Sequence, residues 1–486
     1  MKRLITRGLQ VSCVVALLMT GVACGGSDNS DLGTKPDAGS DVSGDVGTDA
    51  IVEPDACPAP TGEPVNHSGF IEANETWAAG VHTVSSTVTV RAGVTLTLEP
   101  CAVVQLAADQ SITVDDEDAH LVAQGVAGQP IRFERLDPNA AWGGLNVFAP
   151  GTIELSWATI DGGGTTAADP RSAELVGASL AGRNQTGTPF DTVFVDHVTI
   201  TRSAGLGVLL DSTGFASGST NLTVTEAGLN PVYLGAAYAT HLPSLTLEGN
   251  GDDRVLLQSA GAAVYDSSEP VLGEATLPDP GGPYLVGIEG THPSIIVGDS
   301  RAESPSATLT IEPGVELHFQ GGDTTSAGVL VRGKSSGSTW VEQGALIAVG
   351  TPDQPIVMRS AEETPAPGDW QGLYFQYVVS TRTALEHVQV FDAGGESSTT
   401  GVCVASVGAS NFDADCSVVL FLEVQPAASF ILNSLFSNGN GCGIYRGWRG
   451  DALDFEASNT FTSLSGCAQS NVYNDDARAC VGGTCE

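Results

Sequence analysis

One phrase occurs twice in this chain. Thr95-Leu96-Thr97-Leu98-Glu99-Pro100-Cys101 returns 213 residues later as Thr308-Leu309-Thr310-Ile311-Glu312-Pro313-Gly314. Its surroundings return too. Leu121-Val122-Ala123-Gln124-Gly125 recurs as Leu346-Ile347-Ala348-Val349-Gly350, and Gln129-Pro130-Ile131 as Gln354-Pro355-Ile356. Trp142-Gly143-Gly144-Leu145 recurs as Trp370-Gln371-Gly372-Leu373. The offset grows from 213 to 225 to 228, so the copies differ by loop insertions. The repeated unit is a run of short alternating stretches, such as Val84 to Val90, Val94 to Leu98 and Val103 to Leu106, closed by tight turns. No amphipathic helical stretch separates them. Strands this short, without crossover helices, cannot form a doubly wound sheet, but they can wind as a coil whose turns pair with one another.

The order of motifs carries a resemblance. Leu-Thr-Ile-Glu-Pro-Gly-Val, an apolar pair, Leu-x-Ala-x-Gly, Gln-Pro-Ile and Trp-x-Gly-Leu resemble the right-handed parallel β-helix modules of bacterial surface proteins, of the pectin-lyase-like superfold. Phe194 to Ile200 before Gly205-Leu206-Gly207, and Phe430 to Phe436 before Gly441-Cys442-Gly443, look like later rungs of such a module. The resemblance covers about residues 66–486. It implies an all-β fold, a right-handed parallel β-helix solenoid with two tandem modules stacked as one rod. The modules are expected at 61–275 and 276–486, with a cysteine-rich C-terminal end. At roughly 22–25 residues per coil and about 4.8 Å per rung, some 17–19 coils are expected.

The N-terminus is of a different kind. Lys2, Arg3 and Arg7 precede an apolar run from Leu9 to Met19, and Gly21-Val22-Ala23 precede Cys24. Residues 1–23 resemble a bacterial lipoprotein signal, which implies that Cys24 is acylated and that the protein is exported and anchored to the outer membrane or cell surface. Residues 24–60 read as an acidic disordered tether. Asp37, Asp41, Asp45 and Asp49 recur every four residues among small residues, and like charges at that spacing oppose a helix. The whole chain has a formal net charge of −38, which argues against nucleic acid as a partner and disfavours anionic polysaccharide unless calcium bridges the two.

There are 10 cysteines. Cys13 leaves with the leader and Cys24 is the lipid site, so an even number remains, which suits an oxidising compartment. Gly441-Cys442-Gly443 and Gly466-Cys467 replace Gly205-Leu206-Gly207 and Gly228-Leu229 of the first copy. The two cysteines stand 25 residues apart, one rung, so a Cys442–Cys467 disulfide is expected. Cys57–Cys101, Cys403–Cys416 and Cys480–Cys485 are the other expected pairs.

Few polar residues repeat in both copies. Glu99 and Glu312 precede a Pro at a turn. Asp161 and Asp392 precede glycine-rich turns, and Trp142 and Trp370 suit packing at a coil edge better than sugar stacking. Asp115, Asp116 and Asp118 offer a carboxylate cluster for calcium, with no counterpart around Ser335 to Ser338 in the second copy. No other cofactor is indicated. Asp252-Asp253-Arg254 and Asp196-His197 read as surface features. A His-Glu-x-x-His zinc-protease motif is absent from the sequence. The reading is a lipid-anchored surface β-helix with a structural, adhesive or glycan- or partner-binding role. The alternative, a polysaccharide-acting hydrolase or lyase with its site in one module, rests on fold analogy.

Overall fold

A computed structural model describes residues 56–115, 118–165, 177–184, 186, 190–257, 270–287, 294–299, 306–321, 328–336, 339–395, 404–407, 410–413, 417–448, 450–451 and 453–470. The leader, Cys24 and most of the expected tether lie outside them. Glu53–Glu486 form one compact unit. It is all-β and dominated by long parallel sheets, the arrangement of a solenoid. Among the described residues the only antiparallel strand pairs are two hairpins, Lys334–Ser336 with Thr339–Val341 and Val404–Val407 with Ser410–Asp413.

The strands stack in ladders. The longest starts in the second half of Val65–Ile71 and of Gly80–Val90. It continues through Ile112–Val114, Leu145–Phe148, Ala178–Arg183, Leu206–Asp211, Val232–Leu234 and Val255–Leu257. It then runs through Tyr284–Val286, Glu316–Phe319, Ile356–Ser360, Val388–Phe391, Leu435–Ser437 and Thr460–Thr462. A second ladder holds Glu75–Trp77, Thr95–Leu98, His120–Gln124 and the first halves of Thr152–Asp161 and Asp191–Thr201. A third holds Ala102–Leu106, Ile131–Arg135, the second halves of those two long strands, Thr220–Thr225 and Leu245–Glu248.

Alternation explains the pairing. Thr152–Asp161 buries Ile153 and Leu155, skips a step, then buries Ala158 and Ile160. The skip is at Trp157, whose φ of 45° is left-handed. One extra residue in that conformation turns the strand through a corner and returns its apolar side chains to the interior. His197 (φ 52°) does the same in Asp191–Thr201. One contiguous core results, from Ile71 to Phe455. Each fully buried Val, Leu, Ile or Phe in it contributes roughly 1.5–3 kcal/mol.

The regular coil length expected from the repeat changes. The coils are not uniform: Leu222 pairs with Leu245, an offset of 23, whereas Leu373 pairs with Val419, an offset of 46. Loops inserted between rungs lengthen many coils, so the chain makes fewer than the 17–19 expected from uniform coils. The copies also do not superpose face on face. Ala102–Leu106 lies on the third ladder, but its counterpart Glu316–Phe319 lies on the first. Leu145–Phe148 lies on the first ladder, while its counterpart Leu373–Gln376 stacks in the ladder begun by Ser294–Val297. The intervening rungs do not complete a whole number of coils, so the second copy is set one ladder on. The expected module boundary at 275/276 falls inside the strand Gly273–Leu277. The first ladder passes it without a break, pairing Val255–Leu257 with Tyr284–Val286.

Candidate functional site

The residues repeated between copies are mostly structural. Trp142 and Trp370 are buried, and their indole N–H groups donate to Asp161 O (2.8 Å) and Phe391 O (2.7 Å). Trp370 also stacks on Phe319, with centroids 4.1 Å apart. The matching bonds show that Phe391, not Asp392, is the counterpart of Asp161. Asp392 (φ 63°) instead takes the left-handed place of Gly162 (φ 72°). The two aspartates therefore differ in role. Asp161 is clasped by Arg135 (3.2 Å) and Arg202 (2.7 Å) on the surface of the third ladder. Asp392 is buried and accepts from Ser360 N (3.3 Å) and Asn438 Nδ2 (2.7 Å). Glu99 and Glu312 sit at equivalent turns, their N–H groups bonded to Trp77 O (2.9 Å) and Leu277 O (3.0 Å).

Cys57 and Cys101 form a disulfide with Cα atoms 5.4 Å apart. Cys101 is left-handed (φ 68°) where the second copy has Gly314 (φ 86°). The Cys442 and Cys467 sulfurs lie 3.0 Å apart, and Gly443 N donates to Cys467 O (2.8 Å). Cys403–Cys416 and Cys480–Cys485 lie outside the described residues.

Of the carboxylates expected to hold calcium, Asp116 lies outside the described residues. Asp115 faces the Arg91 guanidinium at 3.6 Å, and Asp118 is exposed. Among the described residues no group of three or more His, Cys, Asp or Glu is arranged to hold a metal. A carboxylate already facing a cation is a poor fit to calcium. Asp252 is bonded to Arg254 (2.6 Å), and Asp253 accepts from Asn250 N (2.9 Å), so that cluster closes a turn.

The distinctive surface feature is the corner between the second and third ladders. Gln124, Ser156, Asp196 and Thr220 are register partners on successive coils. Each is followed by the residue that turns the corner: Gly125, Trp157, His197 and Asn221. Trp157 and His197 stack with centroids 4.1 Å apart and planes 7° apart. His197 Nδ1 meets Asp196 Oδ1 at 2.6 Å, and Asn221 Nδ2 lies 3.4 Å from His197 Nε2. Ser244 Oγ accepts from Asn221 N (2.9 Å) and continues the column. His197 and Asn221 are exposed, while Trp157 and Asp196 are partly so. A flat aromatic stack edged by a carboxylate, an imidazole and an amide can hold a polyhydroxylated ring by stacking and hydrogen bonding.

Sequence reading treated Asp196-His197 as an isolated surface pair and missed Trp157. Aligning the copies at the corner shows the signal: Gly125, Trp157 and His197 correspond to Gly350, His387 and Asn433. It also missed a smaller apolar cluster on the outward side of the first ladder, where Ala181, Leu209, Tyr233, Leu256 and Leu285 stand in register and are buried.

A second histidine cluster closes the start of the core. His67 stacks on buried Trp77, with centroids 4.0 Å apart. His82 Nε2 donates to Ala78 O (2.8 Å), which leaves its Nδ1 to accept from His67 Nε2 (3.0 Å). Burial, then neighbouring His82, holds the His67 pKa below its ordinary value, against the pull of Glu75. In the second copy burial likewise lowers His318, opposed by Glu316 and reinforced by Arg254 and Arg359.

No protein-family model, curated protein or solved structure matches this chain.

Proposed function

We propose that this chain is an exported, right-handed parallel β-helix protein of the pectin-lyase-like kind. Cys24 carries the lipid that holds it at the outer membrane or cell surface, and the molecule works by contact, with glycan as its partner. The observation that carries this reading is the exposed corner column of Trp157, His197 and Asn221, with Asp196 beside it. The parallel ladders support the scaffold role, because they set these side chains at the regular spacing of successive rungs. The uses of the repeated polar residues support contact over catalysis: Glu99 and Glu312 close turns, and Trp142 and Trp370 fill the interior. The test is a panel of immobilised polysaccharides probed with the full chain and scored for retention and for released product. Retention without release is expected. Release of oligosaccharides would replace this reading with a hydrolase or lyase. Intact-mass measurement of the N-terminus tests the anchor separately: acylated Cys24 is expected, and an unmodified Cys24 would remove it.

A further inference from the structure

The strands around the corner narrow the chemistry of that glycan. His120–Gln124, Thr152–Asp161, Asp191–Thr201 and Thr220–Thr225 contain four acidic residues and neither Lys nor Arg. Asp161 is held between Arg135 and Arg202, and Asp191 faces His241 at 3.4 Å. Glu154 and Asp196 lie on the outward side of the second ladder beside the corner, and Asp196 has one oxygen against His197 Nδ1 at 2.6 Å. Glu154 pairs with partly exposed Phe194, two residues before Asp196, on the adjacent coil. Gln124 Nε2 donates to Glu154 at 3.4 Å, and His197 approaches Asp196. Each carboxylate retains acceptor capacity beyond these contacts. Arg132 on the neighbouring rung lies across the corner on the third ladder, in register with Thr159.

Two carboxylates beside partly exposed aromatic rings, on a chain of net charge −38, favour a cation and repel an anion. We infer that the corner selects an amine-bearing glycan. A protonated amino sugar would set its ammonium between Glu154 and Asp196 and its ring against the Phe194 and Trp157–His197 surface, with Gln124 and Asn221 meeting its hydroxyls. This inference rests on the glycan-contact reading.

The test uses the full chain in calorimetric titrations with three hexamers: glucosamine, N-acetylglucosamine and β-1,4-linked glucose. The glucosamine hexamer is expected to bind about tenfold more tightly than the other two, from one charge-assisted contact. That preference should shrink as salt rises. Glu154→Gln leaves the Asp196–His197 contact in place and is expected to remove most of the preference. Trp157→Gly keeps the left-handed corner accessible and is expected to weaken all three ligands. Circular dichroism of each variant confirms the fold. Equal affinity for all three hexamers, or a preference unchanged by Glu154→Gln, would overturn the amine selectivity and leave glycan contact standing. Absence of binding by all three would overturn both.

Discussion

The two copies of the repeat agree inside and disagree outside. Trp142 and Trp370 occupy the same buried place and donate to the same backbone position one rung on. The corner above each copy diverges: Trp157, His197 and Asn221 in the first, His387 and Asn433 in the second. Asn433 Nδ2 there bonds to Glu386 (2.9 Å), and no ring stacks on His387 among the described residues. The interior must fill a fixed cross-section, so its large side chains are constrained by packing. The corners face solvent and are free to specialise. Because the second copy is set one ladder on, equivalent surfaces of the two copies belong to different ladders. A site built on one face of the first copy is not continued by the second.

The strongest way to break this comparison is to remove a shared interior residue. Trp142→Ala and Trp370→Ala are each expected to cost about 3–5 kcal/mol, through lost packing and a cavity. Denaturant unfolding of the two variants measures it. Similar losses would support equivalent interior roles. A loss below about 1 kcal/mol in either would show that the shared bond does not mark a shared role.

The next effect tests a position where the copies differ covalently. Cys101→Gly imitates Gly314 and removes the left-handed strain, but it opens the link to Cys57 across a separation of 44 residues. A net loss of about 2–4 kcal/mol is expected, and Cys57→Ser, which opens the same link and keeps Cys101 left-handed, should lose at least as much. Unchanged stability in both experiments would mean that the disulfide contributes nothing to the start of the solenoid.

A smaller effect separates the two aspartates. Asp392→Gly is expected to cost about 1–3 kcal/mol, because Ser360 N and Asn438 lose a buried acceptor. The reverse exchange, Gly162→Asp, should cost more than Asp392→Gly. A Cβ there would collide with the Arg135 side chain, and Arg135 is tied to Asp161. Thermal melts of the pair give the comparison. Equal, small losses would show that the corner tolerates either residue.

The internal duplication made the short-strand architecture legible, since alternation and tight turns leave few other folds. The left-handed corners were not legible. Trp157, His197 and Asn221 carry no shared residue type: Asn221 suits the left-handed conformation, whereas Trp157 does not favour it, so no single residue marks these corners. Coil length was likewise hidden, since inserted loops resemble rung sequence until pairing is known. Asp161 and Asp392 misaligned by one residue for the same reason: both precede glycine-rich turns, and only the indole bonds set the register.

The last contrast is between His67 at the start of the first copy and His318 on the second. Burial lowers both pKa values below the ordinary 6.5, so the folded state favours neutral imidazole while the unfolded chain takes up protons near that pH. Stability is therefore intact above the ordinary value and declines as pH falls below it, toward the lower folded-state values. His67 sits against His82 and Glu75, and His318 against Glu316, Arg254 and Arg359, so both clusters retain charge at that pH. Unfolding midpoints between pH 7.5 and 5 should fall for the wild type, and the slope should be shallower in His67→Gln and in His318→Gln. Tryptophan fluorescence assigns the His67 part, since that ring stacks on Trp77. If His67→Gln flattens the slope and His318→Gln does not, acid sensitivity belongs to the start of the first copy. A slope unchanged in both would place the proton uptake at other groups.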